Sequence, residues 1–196
     1  MAHEYATREE LKAWMNVPPD DDTRDSLFDG ALAASSRGID TATGRRFWLD
    51  DTETARTFTL SGRVVCSGGE ARLLLDDIGA EPTLVEVGSG TSWSTVTGYS
   101  TVPDNALVRG RPITALALGG SGWSGGPRAR VTTRWGWPAV PDEITEATLI
   151  QAARLFRRKD SPEGVTGSSE WGVVRLSRRD PDVWALIEHF IQPGFG

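Results

Sequence analysis

The sequence predicts an α+β fold, in which a small helical bundle of about four helices carries an inserted antiparallel β-rich domain. Near both ends of the chain, apolar residues recur every three or four positions, which is the period of an amphipathic helix. From about residue 47 to residue 137 this period disappears, and short stretches rich in Val, Thr, Leu and Trp lie between Gly, Pro and Asp signals. We therefore expect a helical domain of residues 1–46 and 138–196 and a β-rich insertion domain of residues 47–137.

Two helices are predicted before the insertion. Thr7 and Glu10 form a capping-box pattern at the start of the first, and the acidic run 20–22 is placed to cap the second, expected over residues 23–43. Gly44 is a natural stop for that helix. Four small residues on one face of this helix would let a partner helix approach closely: Ala31, Ala34, Ser35 and Gly38. Packing within the chain would explain most of this pattern.

The insertion is expected to contain short antiparallel strands. Turns are predicted at residues 76–78 and 87–90, where Asp and Gly interrupt the apolar stretches. The predicted strands span residues 56–60, 63–66, 71–76, 83–87, 93–101, 113–118 and 128–134.

The helical period returns after the insertion. A third helix is predicted over residues 142–159, and an extended segment over residues 171–177. Asp180 as a cap and Pro181 at the first helical position then predict the start of a last helix.

Composition excludes several classes of function. A net charge of −6 over 196 residues argues against binding nucleic acid with the whole surface. The single cysteine, Cys66, rules out a disulfide framework or a cysteine metal cluster and suits folding in a reducing cytoplasm. We expect neither a signal peptide nor a membrane span, because no apolar run approaches the roughly 20 residues that a span needs.

Motifs that resemble catalytic or nucleotide-binding sites lack the predicted context for chemistry. Residues 122–126 match G-x-S-x-G around Ser124, and residues 120–125 match G-x-G-x-x-G, yet both patterns require a helix to follow and a strand is predicted instead. The acidic pairs at residues 50–51 and 76–77 suit turns and caps better than a cation site or a glycosidase. We therefore predict no catalytic residue, cofactor or metal ion, and keep a hydrolase at Ser124 as an alternative.

Tryptophan is abundant, with eight residues, more than a small β insertion and a few helices need for packing. Trp123 lies in the glycine-rich loop 119–127 and is a candidate contact residue. A glycan-binding β module that displays Trp93 and Trp123 as sugar-stacking platforms is therefore an alternative function.

The order of these pieces is similar to that of a known family. Two N-terminal helices, a β insertion, Arg-Trp-Gly-Trp-Pro at residues 134–138 and a helix ending in Arg-Arg-Lys-Asp-Ser-Pro at residues 157–162 follow one another. This order resembles the head-to-tail connector, or adaptor, proteins of long-tailed (siphovirus-type) bacteriophages, particularly those that infect actinobacteria. The likeness extends over nearly the whole chain, while the long β insertion departs from the minimal all-helical members.

The resemblance implies a structural virion protein of the phage neck that is not an enzyme. Made in the host cytoplasm, it would form a ring of twelve copies between the portal protein and a stopper or tail-completion protein. It would join after genome packaging and so complete the head. DNA would pass through the lumen without specific binding, which suits an acidic chain.

The residues expected at the portal and subunit interface lie mainly in the C-terminal segment, which is apolar for a free tail. For Trp184 and Phe190, closing the helical core is the alternative role. The expected contacts are Trp184, Phe190, Phe195, Arg178 and Arg179, with Trp123 as a further one.

Overall fold

The structure, a computed structural model, describes residues 3–120, 122–158 and 180–192, apart from the Ser67 side chain, and the backbone of two short strands, Val165–Thr166 and Val174–Arg175. Within these residues the chain has four α-helices and two antiparallel sheets of four strands each, which confirms the α+β prediction. The chain divides into two compact units. Unit 1 comprises Met1–Arg45 and Val140–Gly196, and unit 2 comprises Arg46–Ala139.

The helices of unit 1 begin and end close to the predicted positions. The capping box is present, since the Thr7 side chain accepts from the Glu10 N–H and the Glu10 side chain accepts from the Thr7 N–H. Gly44, with φ +68°, ends the second helix, and the Asp180 side chain caps the last one. The helices are α1 Arg8–Trp14, α2 Asp25–Thr43, α3 Asp142–Arg158 and α4 Pro181–Ile187, which continues as the 3-10 turn Glu188–Phe190.

The acidic run before α2 does not cap this helix, contrary to the prediction. Arg24 occupies the cap position and no side chain caps the helix. Asp21 instead accepts from the backbone N–H and the hydroxyl of Thr23, which lowers the pKa of Asp21. The run therefore shapes the turn before α2 rather than the helix end.

The core of unit 1 is built where α2 and α3 cross. Phe28 of α2 stacks on Phe156 of α3 with ring centroids 4.5 Å apart. Small residues on both helices allow their backbones to come close. The buried members of this cluster are Ala6, Leu11, Phe28, Ala31, Leu32, Leu149, Ala152 and Ala153.

Unit 2 consists of two antiparallel four-stranded sheets with strand orders β1-β8-β4-β5 and β2-β3-β7-β6. Residues of both sheets belong to one apolar core, in which Trp135 and Leu116 are fully buried. The strands are β1 Thr54–Thr59, β2 Val64–Ser67, β3 Glu70–Ile78, β4 Leu84–Ser89, β5 Ser92–Thr95, β6 Ser100–Val102, β7 Ile113–Leu118 and β8 Arg128–Thr133. The short strands β9 Val165–Thr166 and β10 Val174–Arg175 pair antiparallel outside this unit.

One strand and two turns are wrongly predicted in unit 2. The expected turn at residues 87–90 begins inside β4, which extends to Ser89. The expected strand 93–101 is two strands, because the chain turns at Gly98 with φ +76° and β5 and β6 join different sheets. The expected turn at residues 76–78 lies inside β3, where the pairing with β7 shifts between Leu74 and Ile78. This irregularity accommodates both acidic residues: Asp77 accepts from the Trp137 indole N–H at 2.9 Å, and Asp76 pairs with Arg56 at 3.1 Å.

The two ends of unit 2 pair with each other through the Trp-Gly-Trp segment. The Asp50 N–H donates to the Trp135 carbonyl at 2.9 Å, and the Trp137 N–H donates to the Trp48 carbonyl at 3.3 Å. Gly136 sits between them with φ +106°, and a Cβ there would lie 1.8 Å from the Trp48 oxygen. Only glycine allows this close approach. The segment that enters the unit and the segment that leaves it are therefore hydrogen-bonded to each other on either side of Gly136.

Candidate assembly surface of unit 1

A groove of about 470 Å³ lies between α2 and α4. Its lining is mostly apolar or small, with a few polar groups. We call it the α2–α4 groove. Its lining residues are Ala34, Ser35, Gly38, Ile39, Thr41 and Ala42 from α2, Gln151 from α3, and Asp180, Val183, Trp184 and Ile187 at and within α4.

Small side chains on α2 create this groove. Ala34, Gly38 and Ala42 follow one another at four-residue intervals, so they form one stripe along the helix, and all are exposed. A Cβ added at Gly38 would meet no atom within 4 Å. A glycine inside a helix costs about 0.5–1 kcal/mol relative to alanine. Helix stability alone would therefore favour a larger residue than glycine at position 38.

Ser35 gives the groove a polar group without a partner. The residue is only 1% exposed, and its Oγ makes no hydrogen bond within the described chain. The neighbouring Ser36 differs, because its Oγ donates to the Leu32 carbonyl at 2.9 Å. A buried hydroxyl left unsatisfied costs about 1–3 kcal/mol. The wall of the α2–α4 groove at Ser35 thus holds an unsatisfied hydroxyl with almost no accessible surface.

Hydrogen bonds hold α4 and the turn after it on the rest of unit 1. The Gln192 N–H donates to the Thr43 carbonyl at 2.9 Å, and Arg45 Nε donates to the Phe190 carbonyl at 2.7 Å. At the other end of α4, Arg154 pairs with Asp180 at 3.2 Å. The C-terminal segment is therefore anchored at both ends as far as residue 192.

Two of the residues predicted for the portal interface fall in this anchored segment. Trp184 is half-buried and lines the α2–α4 groove. Phe190 is half-buried, with its ring 4.1 Å from that of His189. Val183 and Ile187 are the residues of α4 that are buried. The remaining predicted contacts, Arg178, Arg179 and Phe195, lie outside the described residues.

Trp123 is not an exposed loop tip, contrary to the sequence-based expectation. It is 9% exposed, belongs to the core of unit 2, and donates from its indole N–H to the Ala71 carbonyl at 2.9 Å. Trp93 is half-buried, and the Arg130 guanidinium covers its ring at 4.4 Å. The pair therefore does not form the open sugar-stacking platform that a glycan-binding module would need.

The surroundings of Ser124 do not match a nucleophile elbow. The segment that contains it leads into strand β8, whereas the elbow requires a helix after the serine. Within the described ranges, no three His, Cys, Asp or Glu side chains come together as metal ligands would. Nor does any helix there combine the length and apolar character needed to cross a membrane.

The opposite flank of α2 carries a polar cluster that sequence patterns did not reveal. The Tyr5 N–H donates to Ser36 Oγ at 3.1 Å, and Arg8 pairs with Asp25 and Asp29 at 2.5 and 2.6 Å. On a helix, positions two apart point about 200° away from each other. Ser36 and Gly38 therefore face opposite sides of α2. The spacing of Asp25 and Asp29 was the only hint in the sequence.

On the same flank, Trp14 at the end of α1 is a second feature that sequence analysis did not single out. It is 44% exposed. In the described part of unit 1 it is the one large apolar side chain with such exposure.

Comparisons with known proteins identify similar structures. No protein-family model matches the chain, and neither does any curated protein. A chain of a structure described as the neck of an empty GTA particle computed with C6 symmetry is similar, with a TM-score of 0.58, 19% identity, and coverage of 98% of this chain and 93% of the other. GTA stands for gene transfer agent.

Two further structures match with lower scores. One is the neck of a native GTA particle computed with C12 symmetry, with a TM-score of 0.46, 19% identity and coverage of 100% and 98%. The other is the virion of a native gene transfer agent particle, with a TM-score of 0.45, 18% identity and coverage of 96% and 89%. At these identities the likeness concerns the fold, and the first match extends it over nearly the entire chain.

Proposed function

We propose that this chain is a structural, non-catalytic protein of the neck of a phage-like particle, where it acts as the head-to-tail adaptor. The observation that carries the proposal is the near full-length fold match, at a TM-score of 0.58, to a chain in the neck of a GTA particle. The family resemblance in the sequence, found independently of that match, supports the same role.

The proposed assembly is a closed ring of identical copies. The neck with the matching chain was computed with C6 symmetry, which supports a ring whose copy number is a multiple of six. Twelve copies, the number implied by the family resemblance, satisfy this condition. A ring of one kind of subunit requires two different surfaces on each copy that fit each other.

The proposed ring lies between the portal protein and a stopper or tail-completion protein. We assign the portal contact to the C-terminal segment, with Trp184, Phe190 and Phe195 as apolar contacts and Arg178 and Arg179 as donors to carboxylates. The net charge of −6 supports a lumen through which DNA slides without being held. After synthesis in the host cytoplasm, the protein would reside at the virion neck.

Labelling of intact particles tests this function. Gold-conjugated antibodies against the chain should decorate the neck in negative-stain images, and mass spectrometry of purified particles should detect the chain. Deleting its gene should leave DNA-filled heads without tails, because the missing ring completes the head. Particles that lack the chain, or deletion mutants with normal tails, would refute the proposal.

A further inference from the structure

We propose that neighbouring copies join head to tail by inserting Trp14 of one copy into the α2–α4 groove of the next. This inference rests on the ring proposed above and names the two surfaces that build it. One surface is the groove, and the other is the exposed end of α1. The occupant of the groove is a second copy of this chain.

The groove has the properties of an unfilled site. Its volume of about 470 Å³ lies within the range of roughly 300–1,000 Å³ that binding sites occupy. Its floor is the small-residue stripe of α2, where Gly38 leaves open space above the helix. Ser35 also lines the groove, and its hydroxyl is buried without a hydrogen-bond partner in the described chain.

Trp14 has the complementary properties. Its side chain is 44% exposed, although an indole prefers to be buried. Its N–H is a donor only, and no described residue of the chain accepts from it. The α2–α4 groove offers acceptors in the Gln151 amide and the Asp180 carboxylate. An apolar ring with one donor thus meets an apolar groove with acceptors.

The geometry of α2 requires these two surfaces to meet between copies. α1 is held on one flank of α2 by Arg8 and Lys12, which pair with Asp25 at 2.5 and 2.6 Å. The stripe that forms the floor of the groove faces the other flank. Within one copy Trp14 cannot reach the groove. Contacts between opposite flanks of successive copies are heterologous, which is the interface type that generates rings.

Cross-linking in assembled particles tests the contact directly. In a Cys66→Ser background, Ala13→Cys beside Trp14 is combined with Ala34→Cys in the groove, since both alanines are exposed and Cys66 is the native exposed thiol. A short bis-maleimide should produce a ladder of multimers from purified particles. Each single-cysteine variant should give none, and coassembly of the two singles should give dimers only.

The outcomes separate this inference from the proposed function. If the unmodified chain is missing from particles, the neck role fails. If the double variant is present in particles and both thiols react with a monofunctional maleimide, yet no ladder forms, the neck role stands and the Trp14 contact is wrong.

Two glycines of α2 provide a matched pair of variants. Gly30 and Gly38 are both exposed, and a Cβ at either would meet nothing within 4 Å, but only Gly38 lines the groove. Gly38→Leu should fill the groove and reduce incorporation into particles at least ten-fold, as should Trp14→Ala. Gly30→Leu should incorporate like the unmodified chain. Equal incorporation of the two leucine variants, with both folded by circular dichroism, would overturn the proposal.

Discussion

The Lys12 ammonium is buried beneath the start of α2, 2.6 Å from Asp25 Oδ1. At this distance the contact is a charge-assisted ion pair. The ammonium, followed by the Arg8 guanidinium, lowers the pKa of Asp25. A carboxylate with a lowered pKa stabilises the fold above its unfolded pKa of about 4, and this stabilisation is lost as the pH falls through the folded pKa.

The dependence of Tm on acid pH should therefore reveal the contribution of Asp25 to stability. We expect the Tm of the full chain to fall as the pH decreases below about 4, and Asp25→Asn to lower the Tm at pH 7 while reducing the additional loss in acid. Asp22→Asn, which alters an exposed carboxylate outside this cluster, is the control and should keep the original profile. Thermal melts followed by circular dichroism between pH 2 and pH 7 measure both, and parallel profiles for the two variants would contradict the role of the Lys12 pair.

Variants of Trp123 distinguish a role in core packing from a role in contact with a partner. Because its ring lies in the core of unit 2, Trp123→Ala should destabilise the chain by about 3–5 kcal/mol. Trp123→Phe retains an aromatic ring but loses the hydrogen bond to the Ala71 carbonyl, and should cost less. Urea unfolding measures both. A stable Trp123→Ala variant that fails to enter particles would show that the residue is a partner contact after all.

At the scale of elements, sequence predicted best what local chemistry determines. The capping box at Thr7, the glycine stop at Gly44 and the Asp180-Pro181 start appear as predicted, because each is satisfied within a few residues. The acidic pair Asp76-Asp77 misled the prediction, because its partners Arg56 and Trp137 are distant in sequence. Only tertiary contacts keep that pair within a strand.

The candidate site shows the same limit. The small face of α2 could be predicted from its spacing, but the α2–α4 groove could not, because it depends on where α4 lies. Trp123 was misjudged because its glycine-rich loop suggested mobility, whereas the indole donates to β3 and packs in the core. The Trp14 surface had no signal beyond an apolar residue near a helix end.

Gly136 tests how the ends of unit 2 are joined. Gly136→Ala places a Cβ 1.8 Å from the Trp48 carbonyl oxygen, in addition to the strain of φ +106°. We expect the free energy of unfolding to fall by more than about 4 kcal/mol, a loss that single substitutions reach only through severe effects such as this clash. Gly98 also has a positive φ, +76°, but open space around it, so Gly98→Ala should cost about 1–2 kcal/mol. Similar losses in urea unfolding would contradict the close approach.

At the scale of the whole molecule, we propose that the two units are domains that fold separately. The ends of unit 2 are tied by the Trp48–Trp137 and Asp50–Trp135 hydrogen bonds, so its fold does not need the helices to close it. Residues 46–139 expressed alone should unfold cooperatively in urea and show a strand-type circular dichroism spectrum. Residues 54–133, which lack the tied ends, are the control and should be much less stable. A non-cooperative 46–139 fragment would mean that the insertion depends on unit 1.

We propose above that copies of this chain form the ring of a particle's neck. Side-chain-resolution electron cryo-microscopy of the neck from particles that carry the chain tests it most directly. We expect a closed ring of identical α+β subunits between the portal and the tail, with Trp14 of each copy seated in the α2–α4 groove of the next. A neck whose rings are all built by other chains would contradict it.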